Sequence, residues 1–290
     1  MAITAAQVKA LRESTGAGMM DCKRALTETN GDAEAARNLL RKKGAAAAEK
    51  KASRAAAEGV IAVAHGSGAI AIAEVNCETD FVSRREDFRE YAASIAQTVA
   101  DAAPGALDEL MALEVDGQSL EQTRRDAVAR IGENISVRRF ERIEPNGDAA
   151  VYVHNDRIGV IVDMEGGNAE LGKNIAMHVA AMRPQHVSPD DVPAEIVERE
   201  RAFLSDQASD SGKPPEIIAR MVEGRLRKFL DGICLSGQIY VRDSKLTVAR
   251  LLASQKARVH EFVRFEVGEG IERPVSDLAE EVEAQLREHR

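Results

Sequence analysis

Residues 1–44 place apolar side chains at helical spacing. Val8 and Leu11 lie on one face of a helix that Thr4 can cap. Glycines interrupt this helix, and two further apolar stripes follow, the second of them after Asp32, which is a typical helix cap. The pattern therefore predicts a three-helix bundle at the beginning of the chain.

The next segment, residues 45–58, is rich in alanine and carries interspersed lysine and arginine. Alanine favours helix, but the segment has no apolar stripe that a core could bury. We therefore expect a basic, solvated linker helix after the bundle.

From residue 59 the pattern changes from helical to extended. Residues 60–65 and 69–75 are β-type runs on either side of a Gly-Ser-Gly turn, which predicts a hairpin followed by a helix. The same order returns with residues 151–153 and 158–162, and the two hairpins align at a constant offset of 89 residues. We interpret this as a weak internal duplication. Further strands are predicted at residues 135–143 and 261–267.

These elements predict an α+β fold with antiparallel sheets covered by helices. The first α+β core half spans residues 59–140, and the second combines residues 141–189 with 232–271. Between these two pieces, residues 190–231 predict an inserted antiparallel helical hairpin, although a helix pair packed flat on the core fits the same pattern. Residues 272–290 predict a C-terminal helix, because acidic residues lie early in it and basic residues late.

Composition limits the classes of function. The chain has 290 residues, of which 30% are charged, and a net charge of −9, but residues 1–58 carry eleven basic against seven acidic side chains. No run approaches the ~20 apolar residues that a membrane span needs, and the first residues lack the features of a signal peptide. We therefore expect a folded cytoplasmic protein without membrane contact.

The sequence offers little support for covalent chemistry. The three cysteines are too far apart for a zinc pattern, and no local motif supports a nucleophilic pair of Cys77 with His65 or His154. Residues 167–174 miss the phosphate-loop pattern GxxxxGK(S/T) at the last position, where Asn174 replaces the hydroxyl that binds Mg²⁺. We therefore predict no catalytic residue, no metal ligand and no cofactor.

The basic N-terminal region allows electrostatic contact with nucleic acid. Its lysines and arginines can contact phosphate groups, but residues 1–58 contain no aromatic side chain on which bases could stack. A solvated charged face explains the same pattern. We expect no specific binding of nucleic acid.

Asp80 and Phe81 stand together at the exit of a predicted strand, in a chain with only 7 phenylalanines. Phe81 could be a hydrophobic staple for the helix that follows. Alternatively, Phe81 is a rigid apolar anchor at an interface and Asp80 is its charged neighbour. The residue pattern leaves both interpretations open.

Four segments carry a specific family pattern. They are residues 15–26, 54–59, 74–82 and 264–270, which read TGAGMMDCKRAL, RAAAEG, EVNCETDFV and RFEVGEG. Together, and in this order, they resemble the bacterial translation elongation factor Ts family. The resemblance covers most of the chain, although Asn155-Asp156 is more polar than the small residues expected there.

The resemblance implies a guanine-nucleotide exchange factor for elongation factor Tu. Such a factor binds the GDP form of its partner, loosens the nucleotide and its Mg²⁺, and leaves when GTP rebinds, without covalent chemistry. The N-terminal bundle would be of the ubiquitin-associated type and would dock on the GTPase domain. Whether the chain forms a homodimer, or a 2:2 complex with the partner, stays open.

The resemblance also implies the residues that contact the partner. Thr79, Asp80, Phe81 and Val82 would enter the GTPase domain near the Mg²⁺ and phosphate site. The second core half would contact the partner through His154, Arg157, Ile158 and Gly159. The docking residues of the N-terminal module would be Arg12, Met19, Met20, Asp21 and Lys23.

Two other functions are kept as alternatives. An adaptor would bind its partner without changing nucleotide release, and a phosphate-loop NTPase would itself retain nucleotide.

Accelerating GDP release by about four decades requires roughly 5.5 kcal/mol, whereas burial of one phenylalanine supplies about 1.5–3 kcal/mol. Phe81 alone is therefore not sufficient. From the resemblance and from the pairing of Asp80 with Phe81, we expect Phe81 to wedge the partner's helices apart while Asp80 and the N-terminal helices hold the shifted state.

Overall fold

The computed structural model describes residues 3–209 and 214–271. Helices and strands are mixed along the chain, and the α+β class is confirmed. The predicted C-terminal helix at residues 272–290 lies outside the described residues. The helices are α1 Ala5–Thr15, α2 Met19–Glu28, α3 Ala33–Lys51, α4 Asp80–Ser83, α5 Glu86–Ala102, α6 Leu107–Ala112, α7 Leu120–Ile131, α8 Ala169–Met182, α9 Ala194–Ser209, α10 Pro215–Ile233 and α11 Val248–Ser254. The strands are β1 Glu58–His65, β2 Ile70–Cys77, β3 Glu114–Val115, β4 Gln118–Ser119, β5 Ile135–Ile143, β6 Asp148–His154, β7 Ile158–Glu165 and β8 Arg258–Glu266.

The chain divides into two compact units. The described residues of the first lie within 1–62, 73–140 and the segment from 266 onward, and those of the second lie within 63–72 and 141–265. Two three-stranded sheets have the orders β1-β2-β5 and β6-β7-β8. In each, the second strand of a hairpin lies between its hairpin partner and a later strand. The domain boundaries predicted from the sequence stay a prediction.

The N-terminal bundle forms as its apolar pattern predicts. The Thr4 hydroxyl accepts a hydrogen bond from the N–H of Gln7 at 3.3 Å and caps α1. Asp32 caps α3, because its Oδ1 accepts from the N–H groups of Glu34 and Ala35. The small core of the bundle is formed by Val8, Leu11, Cys22, Ala25, Leu26 and Ala36.

The helix predicted at residues 45–58 is present in its first part, but it is not separated from the bundle by a break. Its helical part is the continuation of α3, which ends at Lys51, and β1 begins at Glu58. The alanine-rich segment is also not fully solvated, since Ala48 is buried and α3 packs against α7. A Cβ added at Gly44 would lie 3.2 Å from the Cβ of Ala129, so small side chains let the two helices approach closely without a broad apolar stripe.

The segment at residues 167–174 forms the beginning of α8. The side chain of Asn168 caps this helix, accepting from the N–H of Leu171 at 2.8 Å. Gly172 therefore lies inside the helix, where an added Cβ would be 2.8 Å from the Cβ of Ala150. A helix that covers β6 and β7 in this way does not form a loop around phosphate.

The inserted segment forms two helices with a small core of their own. Leu204 and Ala208 of α9 are buried with Val222 and Leu226 of α10. The helical periodicity predicts that Phe203 lies on the same face of α9 as Leu204. In the structure Leu204 is buried, but Phe203 is 56% exposed. That this pair projects as a hairpin remains a prediction.

The elements between α5 and β5 were not predicted from the sequence. They are α6, the short strands β3 and β4, and α7. Helix α7 buries only Leu120, Ala127 and Val128 among its 12 residues, so its apolar pattern is too weak to recognise. Helix α11 was missed for the same reason, since it buries Val248 and Leu252 alone.

Candidate functional site

The described residues give no support to a cysteine nucleophile or a metal centre. Burial, with the charges of Glu133 and Glu58, raises the pKa of the Cys77 thiol to about 12. A thiol that stays protonated at neutral pH is a poor nucleophile. Among the described residues no group of three metal-ligating side chains occurs, and no helix is both long and apolar enough to cross a membrane.

Phe81 is the most exposed of the large apolar side chains in the described part of the chain. It is 79% exposed on the short helix α4, whereas its neighbours Val82 and Ser83 are buried. A hydrophobic staple would bury the ring against the following helix, so that interpretation is wrong. An exposed aromatic ring held on a buried base suits an anchor for a partner.

Asp80 directly precedes Phe81, and within the described residues its side chain pairs with one exposed arginine. Its Oδ2 accepts a hydrogen bond from Nη2 of Arg84 at 2.7 Å, and both side chains are substantially exposed. Such an ion pair contributes little free energy and can be exchanged for a donor from another protein. Within the same segment, the Thr79 hydroxyl donates to Oε1 of Glu133 at 2.6 Å.

The five predicted docking residues of the N-terminal bundle are all exposed. Met19 and Met20, on the first turn of α2, are 56% and 65% exposed. Asp21 and Lys23 follow on the same helix, and Arg12 lies in the last turn of α1. Asp21 also forms an ion pair with Arg24. Exposed methionines can adapt their shape to a partner, and the charged residues beside them can select it.

The four predicted residues of the second unit meet at the β6–β7 turn. His154 pairs with Ile158 in the antiparallel register, and the N–H of Arg157 donates to the His154 carbonyl at 2.9 Å. Asn155 and Asp156 have φ values of 50° and 57°. These two residue types tolerate the left-handed backbone of a tight hairpin turn, which explains the polar departure from the family pattern.

An apolar cavity of about 510 Å³ borders this turn. It is lined in part by Tyr152, Ile158 and Val241, and Val241 is 49% exposed. Sequence reasoning missed Val241, because the loop before α11 has no periodic pattern that would mark it. The remaining lining residues are His154, Met177, Ala180, Ala181 and Arg242.

Buried His178 holds the loop that carries Val241. Its Nδ1 accepts a hydrogen bond from the N–H of Val241 at 3.1 Å, and its Nε2 lies 3.0 Å from Oε1 of Gln238. The ring is therefore neutral, with its proton on Nε2. Burial lowers the pKa of His178, and the hydrogen bond to Gln238 offsets this only in part.

We expect the stability of this unit to fall in mild acid. Because the folded pKa of His178 is lowered, its contribution to the free energy of unfolding is complete above the unfolded pKa of about 6.5 and is lost as pH falls through the folded pKa. In the variant His178→Asn, the asparagine can still accept a hydrogen bond from the N–H of Val241, but it does not titrate. Chemical unfolding at several pH values between 7.5 and 5 should show a weaker pH dependence for His178→Asn than for the wild type; an equal dependence would contradict this.

The fold is α+β, and exposed apolar residues such as Phe81 and Met20 are typical of a protein that contacts a macromolecular partner. A family model described as Elongation factor TS matches residues 78–269. The chain is 53% identical to elongation factor Ts of Thioalkalivibrio sulfidiphilus over 99% of both chains. It is 52% identical to elongation factor Ts of Idiomarina loihiensis over 99% of this chain and 98% of the relative, and 52% identical to that of Methylococcus capsulatus over 99% of both.

The chain belongs to the elongation factor Ts family. Members of this family are nucleotide exchange factors for elongation factor Tu, so the partner and the role in translation elongation follow from membership. The family predicted from four sequence segments is confirmed.

Proposed function

We propose that this chain releases GDP from elongation factor Tu by placing Asp80 and Phe81 near the Mg²⁺ and phosphate site of the GTPase domain. The observation that carries the proposal is the 79% exposure of Phe81 on a segment whose next two residues are buried. The ring acts as a wedge and Asp80 competes for donors of the partner. The chain acts in the cytoplasm and makes or breaks no covalent bond.

The proposal requires that this chain and GDP weaken each other's binding. Linkage makes this effect reciprocal: a contact that favours the nucleotide-free partner weakens GDP binding by the same factor by which GDP weakens binding of this chain. One phenylalanine supplies about 1.5–3 kcal/mol on burial, less than a large acceleration requires. Additional contacts must therefore hold the shifted partner.

Two further surfaces are suited to supply these contacts. One is the exposed surface of the N-terminal bundle with Met19 and Met20, and the other is the β6–β7 turn with His154 and its neighbouring cavity. Both combine apolar side chains with charged or polar ones, as interfaces with a polar rim do. The exposed Val241 adds to the second surface.

Stopped-flow release of a fluorescent GDP from elongation factor Tu tests the proposal. The chain should accelerate release in a concentration-dependent and saturable way. Binding without acceleration would support an adaptor, and retention of nucleotide by the isolated chain would support an NTPase. Light scattering on the same complex distinguishes a 1:1 from a 2:2 assembly and reports whether the free chain is a homodimer.

Truncation of the N-terminal methionines should weaken docking. In Met19→Ala/Met20→Ala, the half-saturating concentration should rise about 10- to 30-fold, since two methionines that become partly buried on binding would contribute roughly 1 kcal/mol each. The release rate at saturation should change little, because Phe81 is untouched. Leu107→Ala removes another exposed apolar side chain and is the control. An unchanged half-saturating concentration would exclude this surface from docking.

A further inference from the structure

Two glutamates hold the residues that connect the end of β2 to Phe81. Oε2 of Glu133 accepts hydrogen bonds from the N–H groups of Glu78 and Thr79 at 3.1 and 3.0 Å, and its Oε1 accepts from the Thr79 hydroxyl at 2.6 Å. In return, Oε1 of Glu78 accepts from the N–H of Asn134 at 2.6 Å. The side chain of each glutamate therefore accepts from backbone N–H groups at or next to the other glutamate.

The short helix α4 depends on such an external contact. It has four residues, and the side chain of its N-cap Thr79 makes no capping hydrogen bond. A helix of one turn is not stable by itself in water. The Glu133 carboxylate instead takes the N–H groups immediately before α4, and hydrogen bonds to a charged acceptor are roughly twice as strong as neutral ones.

The loop that carries Glu133 is itself tied to the end of α3. Nζ of Lys51 donates to the Gly132 carbonyl at 2.6 Å, and Nδ2 of Asn134 donates to the Arg54 carbonyl at 2.8 Å. Arg54 also lies 3.5 Å from Oε2 of Glu78, which offsets the charge of two neighbouring carboxylates. Glu133 is therefore held in place by contacts that do not involve α4.

We infer that Glu133 is a positioning residue for nucleotide exchange. Its carboxylate keeps residues 78–82 in the conformation that presents Phe81 before the partner arrives. This inference rests on the proposed role of Phe81. Without the carboxylate, only a fraction of docked chains would hold the ring ready for insertion, and exchange would fall with that fraction.

Exchange kinetics of Glu133→Ala test this inference. The rate of GDP release at saturation should fall roughly tenfold, equivalent to about 1.4 kcal/mol. The half-saturating concentration should change less than about threefold, because the docking surfaces are intact. Glu133→Gln retains one acceptor oxygen and should give an intermediate rate. Glu114→Ala, which removes an exposed carboxylate from β3, is the matched control and should resemble the wild type.

A double variant separates positioning from general damage. If Glu133 acts through Phe81, then Glu133→Ala should slow release by less than about twofold in the Phe81→Ala background. A variant that merely destabilised the fold would lower the rate equally in both backgrounds. If Phe81→Ala alone leaves the rate unchanged, the proposed function fails; if Phe81→Ala slows release and Glu133→Ala does not, only this inference is overturned.

Fluorescence gives a second readout in the free protein. The chain has no tryptophan, so Phe81→Trp introduces a single reporter on α4. Its anisotropy should fall when Glu133→Ala is added, since the released segment moves faster. Should Glu133→Ala fail to fold, Thr79→Val removes one of the three hydrogen bonds and should give smaller changes in the same direction. Unchanged anisotropy in a folded variant would overturn the inference.

Discussion

Phe81→Ala is expected to slow GDP release from elongation factor Tu by roughly 10- to 150-fold at a fixed concentration of this chain. The ring is 79% exposed in the free protein, so its burial in the partner would contribute about 1.5–3 kcal/mol that alanine cannot supply. Stopped-flow fluorescence of GDP release measures the effect. The thermal midpoint should be unchanged, because an exposed side chain contributes little to the core.

Matched variants separate the wedge from a general loss of apolar surface. Phe203→Ala removes another exposed phenylalanine, 56% exposed on α9, and should leave release unchanged. Phe81→Leu should be intermediate, since leucine buries less area. Asp80→Ala should lower the rate further in combination with Phe81→Ala. Release that stays fast in Phe81→Ala would exclude the wedge.

Glu74→Gln is expected to destabilise the protein by about 3–5 kcal/mol. Glu74 is fully buried, and its carboxylate accepts from Nη1 of Arg138 at 3.0 Å, from Nε of Arg139 at 2.7 Å and from the N–H of Gly268 at 2.8 Å. Glutamine keeps an acceptor oxygen but not the charge, so Arg138 and Arg139, which are only about a third exposed, lose the buried carboxylate that they share. Denaturant unfolding at pH 7 measures the change.

The control for this variant shares one arginine. Glu269 lies 3.4 Å from Nη2 of Arg139 but is 42% exposed, so Glu269→Gln should cost less than about 1 kcal/mol. If the two variants were equally destabilised, burial would not be the cause. Gly268 comes after β8, so the Glu74 cluster also holds the chain that follows this strand.

The same carboxylate sets part of the acid sensitivity. Burial alone would raise the pKa of Glu74, but hydrogen bonds from Gly268, Arg138, Arg139 and Asn76 outweigh it and lower the pKa below its ordinary value. Its contribution is therefore present above the unfolded value of about 4.3 and is lost as pH falls through the folded pKa. Glu74→Gln should lose less stability than the wild type below pH 4.5.

Short-range patterns predicted much of the local structure. Strand β5 begins at Ile135 and ends at Ile143 as predicted, and the caps Thr4 and Asp32 begin α1 and α3. These features depend on neighbours within a few residues, so they can be predicted from the local sequence. Helix α7 could not be predicted in this way, since its few buried side chains are explained by its packing against α3, α5 and α6.

The site was predictable in part. The pattern of residues 78–82 and the family resemblance pointed to Phe81, but the residues alone could not distinguish a buried staple from an exposed anchor. That choice depends on whether the following helix offers the ring a place to pack. Glu133 and Val241 were missed, because nothing near them in the sequence marks a function.

The sequence by itself determined the family, the α+β class and most helices and strands, because these follow from short motifs and local periodicity. Only the tertiary structure decided that Phe81 is exposed, that Glu133 supports its segment, and that Glu74 is buried among arginines. These contacts join residues far apart along the chain: Thr79 and Glu133 are 54 positions apart, and Glu74 and Gly268 are 194 apart. Whether a carboxylate meets backbone N–H groups, an arginine or water depends on the packing of distant elements, which no local pattern encodes.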